Sequence, residues 1–153
     1  MKFFPFAIIA LSLAGAAQAA PTVELSSKIQ VEKQVTVNGK QQTVLRDPKP
    51  VFPGDRLVIT ISYRNATGKP VNDFVVNNPV PAAVQFTGEA SPGVQVSVDG
   101  GRSFGLLSTL KVRKADGTIR AAQPVDVTHL RWVLAGAMPP GASGSLSFRG
   151  VVR

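Results

Sequence analysis

Cysteine is absent from the chain. That excludes disulfides, thiolate metal sites and a lipid-modified thiol anchor, and it leaves stability to a packed core. Histidine, tryptophan and tyrosine each occur once. One histidine and six scattered aspartates give no ligand spacing for zinc or an EF-hand, so neither a metal nor a cofactor is expected. Acidic residues are scarce as well, nine Asp and Glu against 17 Lys and Arg, for a formal net charge of +8. Such a balance favours an acidic partner or surface. No window of eleven residues carries an uninterrupted helical period.

Long apolar runs are missing too, apart from Phe3 to Leu13, which is too short to span a bilayer. Lys2 precedes this run and Ala17-Gln18-Ala19 follows it, the pattern of a secretory signal peptide. Residues 1–19 are therefore expected to be cleaved before Ala20; a cut one residue later would place Pro21 behind the scissile bond. With no second apolar segment of membrane length, the mature chain is expected to be exported to the periplasm or the cell surface without a transmembrane segment. Nucleic acid is not an expected partner there, whereas an anionic envelope polymer or an acidic protein is.

What the sequence does contain is strand grammar. In FPGDRLVITISYRN, Leu57, Ile59, Ile61 and Tyr63 alternate with Val58, Thr60, Ser62 and Arg64, which predicts a half-buried strand. Pro53-Gly54 enters it and the Asn65 to Pro70 segment leaves it, both with turn chemistry. Similar runs span Val71 to Val76, Val84 to Phe86, Val94 to Val98, Leu106 to Val112, Val125 to Leu134 and Ser145 to Val152. Asp99-Gly100-Gly101 and Asp116-Gly117 read as hairpin turns, and Trp132 as a core anchor. Upstream, the odd positions from Val23 to Val37 are mostly apolar, and Asn38-Gly39 turns this long strand back into Gln41 to Arg46. The expected fold is all-β: an antiparallel immunoglobulin-like sandwich over residues 51–153, preceded by an N-terminal strand or hairpin over residues 20–50.

PGDRLVITISYRN, VVNNPVP, VSVDGG and, after Trp132, MPPGASGSLSFRGVV occur in an order that resembles the bacterial conserved surface repeat, an immunoglobulin-like domain of exported proteins. The resemblance covers about Val51 to Val152 and implies a spacer or adhesive module rather than an enzyme. Members of that family often carry an acid before the mid-domain proline. Asn77 and Asn78 stand there in this chain, so no ion site is implied.

Some residues could carry chemistry. Gly101-Arg102-Ser103-Phe104-Gly105 matches the G-x-S-x-G nucleophile elbow, with Asp116, Asp126 and His129 following in hydrolase order. The elbow needs a strand-to-helix turn in an α/β sheet, and this all-β context argues for a structural turn and no enzyme. Asn65-Ala66-Thr67 fits the glycosylation acceptor pattern and equally an ordinary turn. Lys33, the odd charge on an apolar strand face, is either an edge gatekeeper or the lysine of an intramolecular isopeptide bond to Asn. Lys111, Arg113, Lys114 and Arg120 gather around Asp116-Gly117 with one acid among them. They are the candidate contacts for an anionic partner, weighed against a solvated hairpin that merely protects an edge.

Three functions follow from different classes. The first is a non-catalytic binding or scaffolding module of the cell envelope. A second is a surface-fibre subunit that donates its Val23–Val37 strand to a neighbour's sheet. A hydrolase stands third.

Overall fold

The computed structural model describes residues 22–153, which form ten strands and two single-turn 3-10 segments. The expected cleavage site before Ala20 lies outside the described residues. The strands are β1 (Val23–Val37), β2 (Lys40–Arg46), β3 (Arg56–Asn65), β4 (Val71–Pro79), β5 (Val84–Ala90), β6 (Gln95–Ser97), β7 (Lys111–Arg113), β8 (Ile119–Ala121), β9 (His129–Met138) and β10 (Ser143–Val152). All their pairings are antiparallel. A five-stranded sheet in the order β2-β1-β3-β10-β5 packs against a three-stranded sheet in the order β4-β9-β6, and β7-β8 forms a separate hairpin. The fold is an all-β antiparallel sandwich.

Its core follows from the alternation. Leu57, Ile59 and Ile61 of β3 point inward beside Leu146 and Phe148 of β10 and Phe86 of β5, and meet Val76, Val96, Leu130 and Trp132 of the smaller sheet. Phe86 and Phe148 meet edge to face, with ring centroids 6.3 Å apart. Trp132 is buried, and its indole N–H donates to the Ser91 carbonyl. Gly150 lies opposite Phe86, where any side chain would run into Val84. Val58, on the outer side of β3, is buried too; its cross-strand neighbours there are the long side chains of Gln30 and Arg149.

Two sequence expectations change in detail. Leu106 to Val112 is not one strand: Leu107–Thr109 is a 3-10 turn, and the strand is confined to Lys111–Arg113. Leu107 and Leu110, three residues apart, both pack on the core, which one tight turn allows and a strand does not. The run expected from Val125 likewise opens with a 3-10 turn, Pro124–Asp126, and β9 starts at His129. The N-terminal strand β1 is the second strand of the five-stranded sheet. It pairs with β2 over Val31–Val37 and with β3 over Val23–Val31, and Val31 lies within the core.

Charge also spans the larger sheet. On its outer face Glu32 of β1 accepts hydrogen bonds from Arg56 Nε at 3.1 Å and Arg149 Nε at 2.8 Å. The same two arginines reach Glu89 of β5, at 3.2 and 3.4 Å. Four strands are thereby laced together, and the Arg149 hydrogen bond, against the opposing effect of burial, holds the Glu32 carboxyl below its ordinary value.

Candidate functional site

The basic hairpin is built by its turn. Gly117 adopts φ +86°, which a glycine takes without strain, and Lys114 N donates to Thr118 O across the turn at 2.8 Å. Asp116 accepts from the Thr118 hydroxyl at 2.6 Å and from its backbone N–H at 2.9 Å, so its carboxyl is lowered and its charge is spent inside the turn. Arg113 folds back, Nη1 donating to Gly117 O at 3.1 Å.

Register then sorts the four candidate cations. Lys111 lies opposite Ala121, Arg113 opposite Ile119, and Val112 opposite Arg120. Opposed residues share a face, so Lys111 and Arg113 project from one side of the hairpin and Arg120 from the other. Lys111, Arg113 and Lys114 are exposed and take part in no ion pair among the described residues. Arg120 has a different task. Its guanidinium makes a two-pronged contact with Asp126 at 2.6 and 2.7 Å, and Asp126 also accepts the Gln123 N–H that closes the 3-10 turn. The Arg120 hydrogen bond lowers the Asp126 carboxyl, and the pair anchors the hairpin to the chain leading into β9. Three of the four residues thus present charge outward and the fourth is an internal strut. Ile119, 57% exposed, adds an apolar patch to the basic side.

The residues of the nucleophile-elbow pattern form a different structure. Asp99 Oδ1 accepts from Ser97 Oγ at 2.6 Å and from the backbone N–H groups of Arg102 and Ser103 at 3.1 and 3.0 Å. Ser103 Oγ donates to Asp99 Oδ2 at 2.6 Å, the largest of the effects that hold this carboxyl far below its usual range. A carboxylate stabilised in this way is a weak base, and the Ser103 hydroxyl is bound to it rather than to an imidazole. His129 instead has Thr128 Oγ1 beside its Nδ1 at 3.1 Å, and its ring lies over Gly101. Asp116 and Asp126 are held by Thr118 and Arg120 as described, so the hydrolase order in the sequence does not correspond to an assembled triad.

Two further expectations resolve. Lys33 Nζ pairs with Asp55 Oδ1 at 2.6 Å, so its partner is a carboxylate and not an asparagine amide. Asn65 is fully buried, and its side chain makes four hydrogen bonds: Nδ2 donates to Lys69 O and Met138 O, while Oδ1 accepts from the backbone N–H and the hydroxyl of Thr67. Both amide hydrogens are in use, and a glycan has no access to this nitrogen in the folded chain. One contact had no signal in the sequence. Arg131 of β9 stacks over the Phe104 ring at 3.7 Å while its Nε donates to Asn77, tying the Asp99 loop to the smaller sheet.

Among the described residues, no group of three or more His, Cys, Asp or Glu could hold a metal ion. No helix among them is long and apolar enough to cross a membrane. Comparison with protein-family models, with curated proteins and with solved structures yields no match.

Proposed function

We propose that the chain is an exported, non-catalytic envelope module, an immunoglobulin-like sandwich that binds an anionic polymer or an acidic protein through the β7–β8 hairpin. One observation carries this reading. Five of the nine acids are paired within the fold, Glu24 with Arg64, Glu32 and Glu89 with Arg56 and Arg149, Asp55 with Lys33 and Asp126 with Arg120, while Lys111, Arg113 and Lys114 face solvent and take part in no ion pair among the described residues. Contacts of this kind steer association and weaken with salt, as the Debye length falls from about 10 Å at 0.1 M to about 3 Å at 1 M. Replacing Lys111, Arg113 and Lys114 with Gln should leave folding intact and remove most salt-sensitive binding to envelope extracts. A triple variant retained as well as the parent would mean that the hairpin only guards an edge. Export is tested separately by intact mass, which should correspond to a chain beginning at Ala20; a mass that includes residues 1–19 would refute it. The fibre reading has a higher threshold, because β1 would have to leave nine cross-strand pairings with β3 in its own sheet.

A further inference from the structure

Among the described residues, the first half of β1 is an open edge. β2 covers β1 only from Val31 onward, whereas β3 pairs with it from Val23 to Val31 on the opposite side. The Thr22 carbonyl accepts the Ala66 N–H at the start of this ladder, so even-numbered residues of β1 turn their backbone groups toward β3. Odd-numbered Val23, Leu25, Ser27 and Ile29 therefore direct their N–H and C=O groups outward. Their side chains lie on the inner face, and the three-stranded sheet does not reach them all: Leu25 is 52% exposed and Ile29 39%. Free backbone groups beside uncovered apolar side chains are what an added strand satisfies.

We propose that this edge takes a second copy of the same edge, forming a twofold-symmetric antiparallel pair centred on Ser26. The sequence VELSSKIQ is self-complementary in that register. Glu24 falls opposite Lys28 of the partner and Lys28 opposite the partner's Glu24, so two opposite-charge pairs form on the outer face. Val23 falls opposite Ile29, and Leu25 lies diagonal to its own counterpart and to Ile29, so six apolar side chains gather on the inner face. All four outward residues of each copy find a partner, and the pairing stops where β2 begins. Shifting the centre to Ser27 would leave Val23 unpaired and separate Glu24 from Lys28. The charges decide between occupants, because a lysine on an open strand ordinarily repels a visiting chain and here it meets a glutamate supplied by the copy itself. Two paired strands make a small interface, so dissociation in the micromolar range is expected.

A chain without cysteine permits a direct test. Single cysteines are placed at each position from Glu24 to Ile29 in the exported protein, with Ser108→Cys, on an exposed turn far along the chain, as the control. In a non-hydrogen-bonded antiparallel pair the two Cα atoms at position 26 lie about 4.5 Å apart, within disulfide reach. At 25 or 27 the like positions are about 8 Å apart, beyond it. Mild oxidation should therefore trap a dimer at Ser26→Cys at least tenfold faster than at Ser27→Cys or Ser108→Cys. Sedimentation should show Glu24→Lys weakening the dimer about fivefold or more, with Lys28→Glu added to it restoring the parent value to within about twofold, as charge pairs of this strength require. A maximum at another position, equal rates at all positions, or a double variant no tighter than the single one would each overturn the proposal.

Discussion

Asn65 offers the sharpest test of how this sandwich is closed. It ends β3, and its backbone meets the chain on the other side of the turn, N–H to Ala142 O and carbonyl to Gly141 N–H, both at 2.8 Å. Its side chain then joins the Lys69 carbonyl, the Met138 carbonyl and both donors of Thr67. In Asn65→Ala the Met138 carbonyl, in a buried contact, loses its partner at a cost of about 1 to 3 kcal/mol, and the three more accessible bonds contribute about 0.5 to 1 kcal/mol each. The expected loss is about 4 kcal/mol, a large part of a typical domain's stability. Thr67→Ala removes only the accessible bonds and should cost about 1 kcal/mol. Asn65→Asp keeps the shape but turns two donated bonds into carboxylate oxygens facing carbonyl oxygens. It should be worse than Ala at neutral pH. Because the folded environment disfavours the carboxylate, the pKa of this Asp is raised and the variant should recover stability as pH falls, the reverse of the parent's acid response. Urea unfolding followed through the single buried tryptophan measures all three variants. A loss below about 1 kcal/mol for Asn65→Ala, or an Asp variant that weakens on acidification as the parent does, would refute the reasoning.

Trp132→Ala should cost about 3 to 5 kcal/mol by chemical denaturation, since it empties the centre of the core; a loss under about 1 kcal/mol would show that the two sheets do not meet around it. Five carboxyls, those of Glu32, Asp55, Asp99, Asp116 and Asp126, are held below their ordinary values, so the stability they contribute is present above the unfolded pKa of about 4 and is lost as pH falls through the folded values. Glu32→Gln should flatten the acid limb of a stability profile, and superimposable limbs for variant and parent would count against the four-strand network. Arg120→Gln should lower Tm about as much as Asp126→Asn, with the double variant far from additive, whereas Lys111→Gln should not change Tm; equal responses of Arg120 and Lys111 would mean that the hairpin faces were wrongly sorted.

The strands were legible because period-two alternation and Gly or Asn turns are local signals, and β3 shows this residue by residue. Which apolar face is covered is not a local property. The odd positions of β1 look as apolar as those of β3, yet Val31 is buried within the core cluster and Leu25, on the same face of the same strand, lies outside it and is exposed. The basic hairpin was visible as a cluster, but not the division within it. Arg120 was separated from Lys111 and Arg113 by register, and committed to Asp126 by a 3-10 turn that the sequence presents as the start of a strand. Asn65 illustrates the converse, since an acceptor tripeptide and a buried turn organiser read identically until burial is known. The Glu32 network joins residues up to 117 positions apart, and no spacing rule reaches that far.

The hairpin and the open edge lie on separate elements, and that separation has a physical consequence. A twofold pair through β1 would leave both β7–β8 hairpins free, so each dimer would carry two copies of the Lys111, Arg113 and Lys114 patch. A polymeric anion can engage both patches, and the second engagement is then intramolecular, governed by an effective concentration rather than by bulk concentration. A short acidic ligand can engage only one. Binding to long anionic chains should therefore tighten above the protein concentration at which the dimer forms and depend more steeply on salt there, while binding to short acidic peptides stays indifferent to dimerisation. Glu24→Lys, which leaves the hairpin untouched, should erase the difference between the two ligands. If that difference persists in the variant, the edge and the hairpin do not cooperate through assembly.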